Sequence, residues 1–355
     1  MRFLPALPIL LPMAVALALS LLRDDQRRSH GVALVGAIMH LAFSILLLVT
    51  VLKHEIAVLW VGGWPAPFGI CLVADYLSAV MVLITAVINT TVMAYACDDI
   101  DPDQVRTGFY PFMQMLTAAV CGAFLTGDLF NLYVWFEVML MASFGLLVIG
   151  RNPGRLTGAV KYVTINLVST LFFITAIGLI YGLTGTLNMA DLHAKAAVVE
   201  NSSLLTAAAM LLMVAFGIKA ALFPLFFWLP AAYHTLPVSV SAFFAGMLSK
   251  VGVYALIRMF TLVFTSSTGV THATLLVVAA LTMLFGVVGA ASQMEIRRIL
   301  SFHIISQVGY MVLGLALFTP LALAGAIVYL LSLIHISEPT RLLVQSRMPS
   351  CACKW

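Results

Sequence analysis

Long apolar runs alternate with short polar breaks along almost the whole chain. Eleven runs stand out, at roughly 3–22, 31–52, 76–97, 109–127, 129–149, 156–184, 203–229, 238–263, 272–292, 299–318 and 320–331. All but the last come close to the roughly 20 residues that an α-helix needs to cross a bilayer core. The pattern predicts an all-α, polytopic helical membrane protein with about 11 transmembrane helices, the last one truncated. Between the second and third runs, Glu55–Ala74 is interrupted by Gly62, Gly63, Pro65, Pro67 and Gly69. That punctuation predicts a loop or short hairpin outside the membrane. Asp75 and Asp128 stand just before the third and fifth runs, where a carboxylate caps the free N–H groups of a helix start. The N-terminal run, MRFLPALPILLPMAVALALSLL, lacks a small-residue cleavage site and reads as a retained helix rather than a signal peptide.

Composition sharpens this picture. Of 355 residues, 63% are hydrophobic and 9% charged, against about 25% charged in a soluble domain. The formal charge of +4 is too small to suggest nucleic acid as a partner. The placement of the basic residues is more telling. With the N-terminus outside, the inner loops hold Arg23, Arg27, Arg28, Arg106, Arg151, Arg155, Arg297 and Arg298. The outer side then holds Arg2, Lys53, Lys195 and Arg258, the last expected to snorkel outward. This bias favours that orientation. Five cysteines (Cys71, Cys97, Cys121, Cys351 and Cys353) show no CxxC metal spacing. The chain also lacks a nucleophile–base–acid set, a phosphate-cradling loop after a strand, and haem or iron–sulfur ligands, so no cofactor and no metal are expected.

Three ionisable residues fall near the middle of apolar runs. They are Glu137 in NLYVWFEVMLMASFGLL, Lys219 in MLLMVAFGIKAALFPLFFWLP and Lys250 in SAFFAGMLSKVGVYALIR. A charge at the bilayer centre costs a few kcal/mol or more, and such residues persist where they pair, line a wet path or trade protons. Burial disfavours the charged form of a lysine and a nearby carboxylate favours it, so a lysine balanced between the two is poised to exchange a proton. A static Glu–Lys pair is the alternative, and it leaves the second amine unexplained. Pro224, five residues after Lys219, is expected to break that helix and free the Ala220 carbonyl. Weaker candidates are Lys161, where snorkelling is the plain alternative, His234 in WLPAAYHTLPVSV, and His303 in RRILSFHIISQVGYM. His234 could hand protons to Lys250, or be a plain loop residue. His40 and His54 read as packing and interface residues.

The last 25 residues depart from the pattern. From Leu331 the chain reads LSLIHISEPTRLLVQSRMPSCACKW, whose first part resembles a translated sequencing adapter. Residues 331–355 are therefore expected to be a non-native tail, excluded from fold reasoning.

The apolar blocks themselves are recognisable. GICLVADYLSAVMVLI (69–84), GDLFNLYVWFEVMLMASFGLLVI (127–149), the Lys219 segment through FFWLP, PVSVSAFFAGMLSKVGVYALIR (237–258) and RRILSFHIISQVGYMVLG (297–314) resemble the proton-pumping membrane subunits shared by respiratory complex I and the Mrp-type cation/proton antiporters. Within that family the nearest resemblance is to the D-type subunits of the Mrp branch. It implies a fold of about fourteen helices with two inverted five-helix repeats, each containing a broken helix. On that scheme 1–108 carries three N-terminal helices, 109–263 the first repeat, and 272–330 an incomplete second repeat. Glu137, Lys219 and Lys250 match the family's proton-transfer residues.

The implied function is a proton-translocating subunit of a multisubunit Na+ or K+/proton antiporter, a transporter rather than an enzyme. Its expected partners are the other subunits of a hetero-oligomeric complex, protons and a monovalent cation. Its expected location is the lipid bilayer of a prokaryotic plasma membrane. The alternatives are a subunit of NADH-quinone oxidoreductase or a membrane-bound hydrogenase, and an inactive truncated fragment.

Overall fold

The computed structural model describes residues 3–149, 153–199, 202–265 and 268–332. The helices are α1 (Leu7–Leu21), α2 (Gln26–His54), α3 (Tyr76–Asp99), α4 (Pro102–Arg106), α5 (Phe109–Leu125), α6 (Leu129–Val148), α7 (Pro153–Thr184) and α8 (Met189–Ala196). They continue with α9 (Ser202–Ala220), α10 (Trp228–Tyr233), α11 (Val238–Phe243), α12 (Ser249–Leu262), α13 (Thr268–Ala291) and α14 (Ile296–Leu317), and end with α15 (Pro320–Ser332). Among the described residues nine helical spans are long and apolar enough to cross a membrane, and α5 and α15 are shorter apolar helices. Together they account for the eleven runs. The chain is an all-α polytopic membrane protein. Of the segment expected to be non-native, Leu331 and Ser332 finish α15, and residues 333–355 lie outside the described residues.

One rod sits at the centre. α11, a π-helical turn at Phe244–Leu248 and α12 form a continuous span, Val238–Leu262. Every residue of its most apolar window is buried, against 22% for α13. Small residues on the rod (Ala242, Ala245, Gly246, Ser249, Gly252, Ala255) let neighbouring backbones approach. α3, α5, α9 and α14 pack directly on it.

The two ends of the bundle are built differently. At one end, β1 (Ala57–Trp60) and β2 (Cys71–Ala74) pair antiparallel, with Ala57 opposite Ala74 and Trp60 opposite Cys71, realising the hairpin alternative for this stretch. Gly127 donates its N–H to the Cys71 carbonyl at 2.9 Å, and a Cβ there would sit 2.7 Å from Cys71 Sγ. The hairpin thus pins the α5–α6 connection. Asp75 caps α3 as expected. It accepts from the Ser78 N–H at 2.9 Å while the Ser78 hydroxyl accepts from the Asp75 N–H at 2.8 Å. Asp128 caps α6 through the Asn131 N–H at 2.8 Å.

Arg258 corrects an expectation. Instead of snorkelling outward, its guanidinium turns to Asp75 at 2.5 Å and its Nε donates to the Tyr254 hydroxyl at 2.9 Å. The Tyr254 hydroxyl in turn donates to the Phe124 carbonyl at 2.7 Å. A carboxylate already fixed by its capping role offers the arginine a better partner than the interface does. At the opposite end, Arg155 Nε donates to the Thr235 carbonyl at 2.8 Å and Arg297 reaches the Leu236 carbonyl at 3.4 Å. Asp99, at the end of α3, accepts from the Ser239 N–H and hydroxyl at 2.8 and 2.7 Å, so one helix caps the start of another.

Burial pushes the Asp75 carboxyl up, but Arg258 and the Ser78 bonds outweigh it, and the net shift is below the ordinary carboxylate value. Asp75→Asn keeps a good cap and removes the ion pair. A half-buried pair lies between the surface and interior cases, so the expected loss is about 1–3 kcal/mol, seen as a lower unfolding midpoint of the full-length protein in detergent. Because the folded carboxyl is depressed, this contribution is complete above about pH 4 and fades as pH falls further. The gap between wild type and Asp75→Asn should therefore narrow on acidification below that point.

Candidate functional site

The site is built around the end of α9. The helix stops at Ala220, and Ala221 takes a left-handed φ of 63°. Leu222 N–H bonds back to the Gly217 carbonyl at 2.8 Å and Ala221 N–H to the Ile218 carbonyl at 3.1 Å. This is the Schellman closure of a helix C-terminus, here with alanine where glycine is usual. The Trp228 indole donates to the same Ile218 carbonyl at 3.0 Å, and the Phe223 N–H donates to the Thr282 hydroxyl of α13 at 3.0 Å. The chain resumes as α10. The helix therefore ends four residues before Pro224, at Ala220, where the break is expected. The single run expected over 203–229 is two helices joined by irregular backbone.

Lys219 occupies the last turn of α9, where the partial negative charge of the helix end favours a cation. It is 5% exposed. Its Nζ lies 5.6 Å from the Phe136 ring centroid, a cation–π arrangement. Glu137, next to Phe136 on α6, is the carboxylate whose charge acts on Lys219. The Thr170 hydroxyl of α7 donates to Glu137 Oε1 at 2.6 Å. Three helices thus converge on one buried amine and its counter-charge.

Lys250 is 1% exposed on the central rod. Its Nζ donates to the Ala245 carbonyl, inside the π-helical turn. Two residues on, Gly252 touches the α9 break. A Cβ at Gly252 would stand 2.6 Å from the Ala220 nitrogen and 3.0 Å from the Lys219 carbonyl carbon. The backbones carrying the two lysines are therefore in direct contact through a glycine.

The weaker candidates separate from this centre. Lys161 and His234 line one cleft of about 400 Å³ between α7, α10 and α14, together with Arg298. His234 Nδ1 is 2.6 Å from the Pro230 carbonyl. His303 is exposed on α14 and is not brought to the site. Among the described residues no group of three or more His, Cys, Asp or Glu could hold a metal ion. Sequence reasoning missed Thr170 and Phe136. A threonine in an apolar helix usually bonds its own backbone, as Thr170 also does to Asn166 at 3.1 Å, so only the fold shows its second role.

Buried lysines beside an interrupted helix, in a bundle of apolar spans, define a polytopic membrane protein with a polar interior. The chain belongs to the NADH:quinone oxidoreductase/Mrp antiporter transmembrane family, whose model matches residues 126–348. It is 47% identical over 333 residues to the Na(+)/H(+) antiporter D subunit of Alkalihalophilus pseudofirmus, covering 93% of this chain and 67% of the relative. It is 40% identical to the Na(+)/H(+) antiporter D subunit of Bacillus subtilis, covering 92% and 66%. A chain of the Mrp complex from Dietzia sp. superposes with TM-score 0.90 at 32% identity, over 97% of this chain and 64% of that one. A chain of an archaeal membrane-bound sulfane sulfur reductase shares the fold, with TM-score 0.91 at 24% identity, over 96% and 70%. The chain thus spans about two thirds of the length of these relatives.

The Gly252 contact is testable. In the full-length protein, Gly252→Val should cost about 1–3 kcal/mol of stability through overpacking and lower the unfolding midpoint in detergent. Gly178→Val is the matched control. Its Cβ meets nothing within 4 Å, and it should stay within about 0.5 kcal/mol of wild type.

Proposed function

We propose that this chain is the proton-translocating subunit of a multisubunit Na+ or K+/proton antiporter in a prokaryotic plasma membrane, with its N-terminus outside. The observation that carries the reading is Lys219 buried at a mid-bundle helix break within the field of Glu137, with Lys250 one glycine contact away. Glu137 is held by Thr170, and a lysine set between a carboxylate and an apolar interior is placed to exchange a proton. A change in the charge or position of Glu137 would release the proton. Gly252 would pass the accompanying backbone movement to the Lys250 helix. A static pair would not need the second buried amine, nor two interrupted helices beside it. The names of the two antiporter relatives support cation exchange, and the complete path and partner contacts belong to the full-length protein. On this reading the chain is a transporter component rather than an enzyme. Lys161 and His234, in their shared cleft, would supply protons to Lys250 from the side carrying Arg155 and Arg297. His303 would act only in company with segments beyond the described residues.

The test is Lys219→Ala in the full-length protein, expressed with its partner subunits, with sodium- or potassium-driven proton flux followed by a pH-sensitive dye in inverted vesicles. Removing a buried proton carrier should lower the flux by about 100-fold or more, in line with the loss of a general acid–base group. Normal flux in an assembled complex would sink the reading. A redox-driven respiratory subunit is the second reading, favoured by the family's inclusion of NADH:quinone oxidoreductase. In that case flux would follow an electron donor rather than a cation pulse.

A further inference from the structure

A second polar system lies away from Glu137 and Lys219, where α2, α3 and α5 meet. α2 and α5 exchange a polar contact at three successive levels. His30 Nδ1 is 3.1 Å from the Tyr110 hydroxyl, Gln114 Nε2 donates to the Ala33 carbonyl at 3.5 Å, and His40 Nε2 is 3.5 Å from Cys121 Sγ. Ten residues of helix separate His30 from His40, about 15 Å, or half a bilayer core. From α3, Asn89 Nδ2 donates to Gln114 Oε1 at 3.5 Å. One turn along, the Thr85 hydroxyl reaches Met247 Sδ at 3.9 Å. Met247 belongs to the π-helical turn whose Ala245 carbonyl holds Lys250. At its other end the seam opens into a cleft of about 560 Å³ lined by Asp24, Asp25, His30, Cys97 and Tyr110.

Two features show that protein groups alone do not complete this seam. His40 Nδ1 and Asn89 Oδ1 are fully buried with no hydrogen-bond partner among the described residues. In a membrane bundle an unsatisfied polar atom costs several kcal/mol. In addition, the amide contacts from Asn89 to Gln114 and from Gln114 to Ala33 sit at 3.5 Å, beyond the usual N–H···O range of about 2.7–3.2 Å, so protein partners alone hold these amides weakly. The seam's inner groups are neutral amides, hydroxyls, an imidazole and a thiol. Their mixed donors and acceptors suit water, which typically makes about three bonds in such sites.

We propose that the α2–α3–α5 seam binds a file of water molecules and forms a branch that carries protons between the Asp24–Tyr110 cleft and the π-helical turn at Lys250. The transport role rests on the function proposed above. The water file itself does not.

Silver ion is a suitable probe, because it travels through water-filled paths and caps thiols. The full-length protein would be assembled with its partners, with Cys121 as its single cysteine. It would be exposed to silver nitrate in inverted vesicles, denatured, and assayed for residual thiol with a maleimide. The expected result is capping of Cys121, slowed about tenfold by Asn89→Leu with Gln114→Leu, together with a comparable fall in proton flux, as expected when one hydrogen-bonded step of a relay is removed. A Cys121 that stays uncapped under conditions that cap Cys97 in a matching Cys97-only protein overturns the proposal. So does a capped Cys121 whose leucine variants assemble and keep full flux. Neither outcome depends on Lys219→Ala, so failure of this inference is distinct from failure of the wider reading.

Discussion

An ammonium group inside a lipid-embedded bundle needs polar surroundings, and irregular backbone stands beside both buried lysines here. Both deeply buried lysines sit where a helix ladder is interrupted. Lys219 lies in the last turn of α9, just before the chain turns at Ala221. Lys250 reaches the Ala245 carbonyl within a π-helical turn. An unbroken α-helix spends each interior carbonyl on its own ladder, and irregular backbone is tolerated at membrane depth only where protein or a cavity surrounds it. The two breaks and the two lysines are therefore one structural solution used twice, and the fully enclosed rod from Val238 to Leu262 gives it the protein surroundings it requires.

The same constraint explains why the lysines are not independent. A helix C-terminus in the bundle interior leaves polar backbone that must be packed closely. Gly252 meets that need because only hydrogen fits against the Ala220 nitrogen. A larger residue would separate α9 from α12 and open the interior near both amines. Close packing without side chains transmits small displacements efficiently, since interiors of this density do not absorb strain locally. Contact between the two lysines' backbones is thus a route for coupling that requires no direct meeting of their side chains.

How much of this the sequence revealed follows from which signals are local. Apolar length is local, so eleven runs map onto the spans, and the Asp75 and Asp128 caps follow from single residues before each run. The mid-run positions of Glu137, Lys219 and Lys250 were also readable, because a charge in an apolar run stands out whatever surrounds it. Pro224 likewise marked the end of α9 at Ala220. The left-handed turn that follows was not readable, because alanine at 221 carries no such signal. Pairings across the fold were equally hidden. Arg258 with Asp75 spans 183 residues and Asp99 with Ser239 spans 140, and nothing local distinguishes a snorkelling arginine from one that turns inward to a cap. His303, marked by its serine and glutamine neighbours, faces outward because the buried stripe of α14 is set by Ser301, Ile305, Ser306 and Gln307.

The two polar systems differ in a way that fits a division of labour. The Glu137–Lys219 pair carries formal charge, so its energy depends steeply on the state of each partner and on any ion nearby. The α2–α3–α5 seam carries no formally charged side chain along its inner length, so its contacts depend on hydrogen bonding rather than on charge. A charged centre suits gating and a neutral file suits delivery. Lys250 lies between them in the fold: Gly252, two residues on, packs against the α9 break, and Met247 of its π-helical turn approaches Thr85 of α3 at 3.9 Å. The Ala245 carbonyl holds its ammonium group within that interior.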